Sequence, residues 1–443
     1  MIKDLIKKII PKSVLLAYHK LLAILANIIY WFPTRKMVVI GVTGTKGKSS
    51  TVVMITRILE EAGHKVGSTN TIFFKVGDKE WANKLKQGML GRLALQKLLR
   101  KMARSGCTHL VIEVTSEGIV QHRQWGIAFD VVVFTNLGPE HIEAHSSYAE
   151  YRRAKELIFK NIYKSRRKIF KGETIKKVIV VNQVDKEAQK FLRHKADEKW
   201  LVNHLCETAP KDEGKERYLC ADEIKQVEDG TILSVEDHYI HLHLYGVFMA
   251  QNALLATAVA RSLGISISTC EQALEKIESL PGRAEIIKNK KGLIIIVDYA
   301  HEPKSFTAIL ETAQAMEQAQ KIITVFGVTG GGRDKAKRSL MGKIAASMSD
   351  YIILTTDDPY DDDPKTLIED IVPGIDSVQG WEENKNWWRV VDRKEAIAKA
   401  LEIAKKNDVI LLLGKGSEQK MAVKRGKMIP WNDTRVVQEL LGG

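Results

Sequence analysis

Met37-Val-Val-Ile40-Gly41-Val-Thr-Gly44-Thr-Lys-Gly47-Lys48-Ser49 is the stretch that decides the fold. Residues 37–40 predict a short apolar strand, and a helix is predicted from about Ser49 to Ala62. A glycine-rich loop between a strand and a helix turns backbone N–H groups and the helix N-terminus towards a bound phosphate. The expected phosphate-binding residues are Gly44, Thr45, Lys46, Gly47, Lys48, Ser49 and Ser50.

Within this loop, Lys48 would neutralise the β- and γ-phosphates of a nucleotide, and the Ser49 hydroxyl would bind Mg²⁺. The spacing departs from the strict G-x-x-x-x-G-K-S pattern, because Val42 stands in the place of the first glycine and Gly44 lies inside the loop. A glycine turn without a ligand is the alternative interpretation.

Short β-rich runs alternate with helical segments on the C-terminal side of this loop, which predicts an α/β protein with mostly parallel sheets. Residues 231–245 alternate like an antiparallel edge or a small side sheet. A second βα series follows the Leu280-Pro281-Gly282 turn. We therefore expect an N-terminal helical segment (1–36), a P-loop ATPase domain (37–281) and a Rossmann-like C-terminal domain (282–443). The predicted strands lie at 37–40, 110–114, 131–135, 178–182, 293–297, 322–326, 351–354 and 409–413.

The composition limits the class of protein. The 443 residues include 68 Lys+Arg against 54 Asp+Glu, a formal charge of +14, and 44% hydrophobic residues. This mixture is typical of a folded protein, and 31 Gly with 10 Pro are too few for a fibrous or disordered chain. The four cysteines form no C-x-x-C pair, which argues against a zinc finger or a disulfide scaffold and favours a reducing cytoplasm.

The N-terminal segment is unusually apolar and is flanked by basic residues. Between positions 13 and 32 only Ser13, His19, Lys20 and Asn27 interrupt the apolar run. An interfacial or partner-docking helix is our first interpretation. Packing against the protein's own core and a true membrane span are the alternatives. Because no small-residue cleavage site precedes the nucleotide loop, secretion is not expected.

Polar side chains follow two further predicted strands. Glu113 ends the strand at 110–114, and Asn136 with His141 follows the next one. Because parallel strands end at one edge of a sheet, a carboxylate here is well placed to hold the metal of a phosphate site. A capping or solvated glutamate is the alternative interpretation of Glu113.

The ordered motifs from about Val39 to Arg435 resemble the ATP-dependent Mur ligase family, and within it the MurE type, which adds the third amino acid to UDP-N-acetylmuramoyl-L-alanyl-D-glutamate. The motifs are the phosphate loop, the segments 113–123, 134–137, 151–159, 251–256 and 280–283, and the later segments 297–301, 326–334, 337–342, 357–359 and 414–418.

The resemblance implies that ATP phosphorylates a substrate carboxylate and that an amine then displaces phosphate. Lys48, Glu113, His141 and Lys155 match the family's catalytic residues. Ser49, Glu113, His141 and Lys155 match its ligands for two Mg²⁺ ions, Lys155 as a carbamate formed with CO₂. A carbamate is attracted to divalent cations that would repel an ammonium.

Further positions match the family's nucleotide-binding residues. Beyond the loop these are Asn136, Asn252, Arg283, Asp298, His301 and Arg333. Asn252 would contact the adenine, and Arg333 with Lys337 would reach the site when the domains close, excluding water from the acyl phosphate.

The expected substrate-binding residues are Thr69, Thr71, Thr115, Ser116, Gln121, Arg123, Asp357, Asp358, Tyr360, Gly414 and Glu418. Family members specific for diaminopimelate carry Asp-Asn-Pro-Arg where this chain has Asp357-Asp-Pro-Tyr360. Without that arginine a second carboxylate loses its bidentate partner. Lysine or a similar diamine is therefore favoured, with Asp361–Asp363 either attracting it or forming a solvated loop.

The chain also departs from the family. Only 36 residues precede the first strand, too few for the usual uridine-binding domain, so we expect an anionic small-molecule or a lipid-linked muramoyl-peptide acceptor. Lys46 replaces the asparagine that is usual in MurE enzymes and is closer to the residue of folylpolyglutamate synthase, which is the alternative enzyme assignment.

A Mur-like scaffold without turnover and a nucleic-acid-binding protein are the alternatives from other functional classes. The basic residues of the motifs suit phosphates and carboxylates rather than nucleic acid, and those near the N-terminus suit an anionic membrane. The expected location is the cytoplasm or the inner face of its membrane.

Overall fold

A computed structural model describes residues 11–85, 87–138, 147–206, 214–332 and 335–442, except for the Lys12 side chain. The chain divides into two compact units. The first comprises residues up to Ile224 together with Leu233–His241 and Phe248–Lys276. The second comprises Lys225–Ile232, Leu242–Val247 and Ile277–Gly443.

Helices and strands alternate along the chain as far as Lys276. The helices are α1 (Lys12–Ile29), α2 (Lys48–Glu61), α3 (Arg92–Arg104), α4 (Ser116–Val120), α5 (Tyr148–Ile162), α6 (Ala188–Leu192), α7 (Val247–Ser262) and α8 (Ile267–Glu275), with a 3-10 turn at Pro33–Lys36. The strands are β1 (Val38–Thr43), β2 (Val66–Thr69), β3 (Phe73–Val76), β4 (Lys79–Ala82), β5 (His109–Glu113), β6 (Val131–Phe134), β7 (Ile169–Phe170), β8 (Glu173–Thr174), β9 (Val178–Asn182), β10 (Glu198–Val202), β11 (Glu216–Leu219), β12 (Glu223–Val227), β13 (Gly230–Val235) and β14 (His238–Leu242).

Among the described residues, nine strands form the sheet of the first unit in the order β11-β10-β9-β6-β1-β5-β2-β3-β4. The strands from β11 to β2 pair in parallel, whereas β3 and β4 add an antiparallel edge. The central strands β1, β5 and β6 are buried along their whole length, as expected of parallel strands covered by helices on both faces. Strands β12, β13 and β14 form a separate sheet, which confirms the side sheet expected at residues 231–245.

Within the part of the second unit that the structure describes, the βα alternation is repeated around a six-stranded sheet ordered β15-β16-β20-β17-β18-β19. Only the edge strand β15 is antiparallel to its neighbour. The strands are β15 (Glu285–Ile287), β16 (Ile294–Asp298), β17 (Ile322–Phe326), β18 (Tyr351–Leu354), β19 (Trp387–Arg389), β20 (Val409–Leu413), β21 (Lys420–Val423) and β22 (Lys427–Pro430). The helices are α9 (Pro303–Gln314), α10 (Ala336–Met348), α11 (Pro364–Glu369), α12 (Val372–Asp376), α13 (Arg393–Ile403) and α14 (Asp433–Leu440). The predicted α/β class with parallel sheets is confirmed.

The apolar N-terminal segment folds as helix α1. One of its faces, which includes Ala23, Ala26 and Asn27, is buried, and α1 packs against α3. The opposite face stays exposed, so packing against the protein's own core holds for one face of α1 only, and an interfacial or docking role stays a prediction. No helix within the described residues is both long and apolar enough to cross a bilayer.

One cysteine pair differs from the expectation of scattered, unpaired thiols. Cys206 and Cys220 form a disulfide, with their Cα atoms 5.2 Å apart, whereas Cys107 and Cys270 are free and buried. The two cysteines are 14 residues apart and belong to no recognisable cysteine motif, so the sequence did not predict this disulfide. The hydrogen bond from the Cys206 N–H to the Ala221 carbonyl explains it, because it places the two cysteines side by side.

Candidate active site

Three loops meet at the carboxyl edge of the first sheet. Strand β1 lies between β5 and β6, with Val42 opposite Glu113 and Thr43 opposite Phe134. The loop after β1, the Glu113 side chain and the residues after β6 therefore converge, as parallel topology requires.

The phosphate loop has room only for glycine at two positions. Gly44 has φ +154°, and a Cβ atom there would lie 1.9 Å from Thr135 Oγ1. Gly47 has φ +78°, in the left-handed region, and a Cβ atom there would lie 2.3 Å from Asn252 Oδ1. Close packing against these two polar side chains thus fixes where the glycines stand.

Hydrogen bonds from the segment after β6 hold the same loop. The Asn136 amide pairs with Lys46 in both directions: Oδ1 accepts the Lys46 N–H at 2.8 Å and Nδ2 donates to the Lys46 carbonyl at 3.1 Å. Thr135 Oγ1 donates to that carbonyl at 2.6 Å, and the Thr45 N–H donates to the Asn136 carbonyl at 2.8 Å. The loop is therefore shaped in advance of any ligand.

Lys48 and Ser49 stand in the first turn of α2, followed by the buried Ser50. Lys48 Nζ donates to the Thr45 carbonyl at 2.7 Å, which folds the ammonium back over the loop. Ser49 Oγ donates to Glu113 Oε2 at 2.7 Å. The predicted phosphate lysine and the predicted metal-binding hydroxyl therefore both lie at the loop.

Glu113 is buried and its Oε2 atom is the centre of a small polar cluster. Besides the Ser49 hydroxyl, it accepts the Thr71 N–H and the Thr71 hydroxyl, both at 3.0 Å. A Cβ atom on Gly88 would lie 2.5 Å from Glu113 Oε1, so the backbone at Gly88 closes the other side of the carboxylate. Glu113 is therefore not a solvated side chain, and its role as a metal ligand stays a prediction.

Lys155 lies on α5 and is buried beside the phosphate loop. Its Nζ atom donates to the Gly44 carbonyl at 2.7 Å and lies 4.6 Å from the centre of the Tyr151 ring. The Tyr151 hydroxyl in turn lies 3.0 Å from Thr45 Oγ1. Helix α5 thus brings a lysine into the site that spacing alone would assign to the surface.

The remaining predicted residues of this unit have varied surroundings. Asn252 is buried against the loop and accepts a hydrogen bond from Thr51 at 3.3 Å, so its predicted contact with adenine stays a prediction. Thr69 is buried at the end of β2, and its hydroxyl has no hydrogen-bond partner within the described part of the chain. Thr115 caps α4 through the Gly118 N–H, and Ser116 begins that helix.

Gln121 and Arg123 form a compact polar group after α4. Arg123 donates to Gln121 Oε1 at 3.0 Å and to the Met89 carbonyl at 2.6 Å. Arg92 donates to the Gln121 carbonyl at 3.0 Å. The geometry therefore links the predicted substrate arginine to a second arginine that the sequence did not single out.

In the second unit, Asp298 holds two turns at the end of β16. Its carboxylate accepts the Ala284 and Ala300 N–H groups, each at 2.7 Å. Arg283 lies 4.7 Å from the centre of the Tyr299 ring, and His301 Nδ1 lies 2.7 Å from the Tyr299 carbonyl. These side chains share one strand end, and their contact with nucleotide stays a prediction.

A buried lysine gathers the predicted amino-acid-binding carboxylates. Lys415 Nζ lies 2.8 Å from Asp358, 2.6 Å from Glu418 and 3.5 Å from Asp357. Burial lowers the pKa of the Lys415 ammonium, but the three carboxylates outweigh it and hold that pKa above its ordinary value. Burial also raises the pKa of Asp357, which Lys415 opposes. Three carboxylates thus face one ammonium.

The neighbouring backbone keeps this cluster compact. Gly414 has φ +107°, and a Cβ atom there would lie 3.0 Å from Asp357 Oδ2. Tyr360 has φ +51°, and its N–H donates to the Ala422 carbonyl at 3.3 Å. Asp361 and Asp362 accept backbone N–H groups from Arg425 and Gly331, which supports the loop interpretation of the acidic run.

His141 and Arg333 lie outside the described residues. Lys337 pairs with Glu302. Arg338, which lies in the motif segment 337–342, is buried and paired with Asp370 at 2.6 Å.

Sequence reasoning missed several supporting residues. Thr135 and Tyr151 lie within the motif segments 134–137 and 151–159 but were given no role. Gly88 and the buried Arg393–Asp433 pair lie outside the motif segments. Their roles depend on contacts between segments distant in sequence.

Comparison with known proteins gives a consistent result. Residues 42–260 match the family model of the Mur ligase middle domain, and residues 282–416 match that of the Mur ligase, glutamate ligase domain. The UDP-N-acetylmuramoyl-L-alanyl-D-glutamate–2,6-diaminopimelate ligase of Clostridium botulinum is 35% identical over 425 residues, covering 96% of this chain and 82% of that protein. The UDP-N-acetylmuramyl-tripeptide synthetase of a Roseiflexus species is 33% identical, covering 95% and 81%.

A solved structure shares the fold. Folylpolyglutamate synthase of Mycobacterium tuberculosis in complex with ADP superimposes with a TM-score of 0.68 over 100% of this chain and 98% of that one, at 14% identity. This likeness concerns the fold alone, whereas the sequence relatives confirm the resemblance to the MurE type. The chain belongs to the Mur ligase family of ATP-dependent, ADP-forming ligases.

Proposed function

We propose that this chain joins an amino acid to the carboxylate of a muramoyl peptide in the synthesis of peptidoglycan precursors. The observation that carries the proposal is the convergence of Lys48, Ser49 and Glu113 on one preformed phosphate loop. The substrate class comes from the name of the Clostridium botulinum relative, which is a ligase for UDP-N-acetylmuramoyl-L-alanyl-D-glutamate.

The proposed reaction has two steps. A carboxylate oxygen of the acceptor attacks the γ-phosphorus of ATP, and the bond to ADP breaks. The amine of the incoming amino acid then attacks the acyl carbon, phosphate leaves, and the amine loses a proton. In the first step the loop N–H groups and Lys48 stabilise the charge that develops on the phosphoryl oxygens.

The polar cluster at Glu113 fits Mg²⁺. Ser49 Oγ and Glu113 Oε2 are hard oxygen donors only 2.7 Å apart, so a cation can replace the hydrogen bond between them. The ion would neutralise phosphate charge there. For a second Mg²⁺ we propose Glu113, His141 and the carbamate of Lys155 as ligands.

Two features of Lys155 support a carbamate. Its Nζ atom reaches the phosphate loop at Gly44, and its side chain is buried. Addition of the Lys155 amine to CO₂, with loss of a proton, would form the carbamate at this place. The resulting anion would stand beside the loop, where it could hold a cation.

The cluster around Lys415 supports a cationic side chain on the incoming amino acid. Lys415 neutralises only part of the charge of Asp357, Asp358 and Glu418. Tyr360 offers no guanidinium for a second carboxylate. We therefore propose L-lysine or a similar diamine, in contrast to the diaminopimelate named for the Clostridium botulinum relative.

The acceptor, the domain limits and the location complete the proposal. The acceptor is an anionic muramoyl peptide, linked to a nucleotide or to a lipid. Residues 37–281 and 282–443 form the ATP-binding and C-terminal domains. The enzyme works in the cytoplasm at the inner face of the membrane, with residues 13–32 in contact with it.

The first prediction concerns turnover. Phosphate release should require ATP, a muramoyl-dipeptide acceptor and an amine together, and a muramoyl tripeptide should form. Release measured over acceptors crossed with lysine, ornithine, diaminopimelate and glutamate tests this. Release that does not depend on the acceptor or the amine would contradict it.

The second prediction concerns amino-acid choice. D358N/Y360R and Y360R alone should each shift kcat/KM towards diaminopimelate by roughly 10- to 100-fold relative to lysine, because an arginine can pair with the second carboxylate. The single variant leaves the Lys415–Asp358 contact intact and controls for damage to the cluster. An unchanged ranking in both variants would contradict the assignment.

The third prediction concerns the metal site. G88A should displace the Glu113 carboxylate and raise the Mg²⁺ concentration needed for half-maximal turnover by roughly 10- to 100-fold. G91A is the matched control, because a Cβ atom at Gly91 meets no atom within 4 Å. Equal Mg²⁺ dependence of the two variants would argue against Glu113 as a ligand.

The fourth prediction concerns Lys155. Removal of CO₂ from the buffer should lower turnover of the natural chain, and bicarbonate should restore it. K155R keeps a positive charge but forms no carbamate, so its residual turnover should not respond to bicarbonate. A natural chain that is indifferent to CO₂ would exclude the carbamate.

A further inference from the structure

Helix α1 presents an apolar stripe that the first unit does not cover. Val14, Tyr18, Leu21, Leu25 and Ile28 are 43 to 55% exposed. Their spacing of four and three residues alternates, which places them along one side of the helix. Since Ala23, Ala26 and Asn27 on the other side are buried, the stripe is not part of the core.

The helix that carries this stripe is anchored. Asn27 Nδ2 donates to the Trp125 carbonyl at 2.7 Å, and a Cβ atom on Gly126 would lie 2.3 Å from Asn27 Oδ1. Helix α1 also packs against α3. The apolar stripe is therefore held at a fixed position on the first unit.

Positive charge is concentrated in the same two helices and their flanks. Residues 1–36 contain seven basic residues and one acidic residue, Asp4, a formal charge of +6. Residues 81–112, which include α3, contain seven basic residues and no acidic one, a charge of +7. These two segments supply +13 of the chain's +14, so the charge is less dispersed than the motifs suggested.

Helix α3, which packs against α1, carries both basic and apolar exposed residues. Lys97, Lys101 and Arg104 are exposed on it, together with Leu93. Trp31, just after α1, is 77% exposed. Aliphatic side chains beside lysines, arginines and a tryptophan are the mixture that suits the boundary between headgroups and acyl chains.

We infer that α1 and α3 form one surface that binds an anionic lipid leaflet. The stripe of α1 enters the acyl boundary, and the basic side chains of both helices lie among the anionic headgroups. The helix lies on the leaflet rather than crossing it. This inference deepens the membrane contact proposed above for residues 13–32, and it does not depend on the ligase reaction.

The charge and the apolar stripe of this surface argue against two other binding partners, a second copy of the chain and a nucleic acid. The stripe spacing would also suit a two-stranded coiled coil with a second copy. Such a dimer would bring like charges together, and the sequence has no acidic residue between Asp4 and Glu60 to pair with them. A nucleic acid would use the charge but would leave the aliphatic stripe in water.

The test is co-sedimentation of the full chain, without ATP, with vesicles of phosphatidylcholine alone and of an equal mixture with phosphatidylglycerol. Binding to the mixed vesicles should be strong and should weaken with added salt. L21S/L25S/I28S and K97E/K101E/R104E should each reduce that binding by at least about tenfold. I169S/Y239S/M428S, which alters exposed apolar residues elsewhere, is the matched control and should bind like the natural chain.

Other outcomes would overturn the inference. These are equal binding to neutral vesicles, unchanged binding by both surface variants, a dimer that L21S/L25S/I28S abolishes without any vesicle binding, or binding of duplex DNA but not of vesicles. Thermal unfolding of each variant checks that it is folded. Ligase turnover is measured separately in solution, so failure of either proposal leaves the other standing.

Discussion

The two-way hydrogen bonding between the Asn136 amide and the backbone of Lys46 is the interaction on which the active site depends. It fixes a loop whose glycines at 44 and 47 already lie against Thr135 and Asn252. A loop held in this way keeps its N–H groups directed at one place, so binding of phosphate costs little reorganisation. The parallel sheet makes this possible, because β1, β5 and β6 end side by side and deliver the loop, Glu113 and Asn136 to one edge.

The second unit contains a cluster of buried charged side chains around Lys415. Its buried Lys415 holds Asp358 and Glu418 within hydrogen-bonding distance. Arg393 of the buried Arg393–Asp433 pair donates to the Leu413 carbonyl at the end of β20 at 3.0 Å and also opposes the raised pKa of Asp357. Burying several charges is tolerable only when each has close partners. The cluster retains more carboxylates than ammonium groups, and this imbalance rather than the exposed acidic run supports a cationic amino acid.

Much of this was accessible from the sequence because the signals are local. The loop, the apolar strands and the carboxylate at the end of β5 follow from period and spacing, and most predicted strands agree with the structure to within a few residues. Lys155 was identified through family resemblance alone, since nothing local distinguishes it from a surface lysine. Gly88, the Arg338–Asp370 pair and the Cys206–Cys220 bond depend on contacts between distant segments, which no periodicity encodes.

The central claim is that ATP activates the acceptor as an acyl phosphate at the loop held by Asn136. The most direct measurement labels both carboxylate oxygens of the acceptor with ¹⁸O and follows the label during a single turnover with amine present. The account predicts that one ¹⁸O atom appears in the released phosphate. Phosphate without label, formed together with amide product, would contradict it.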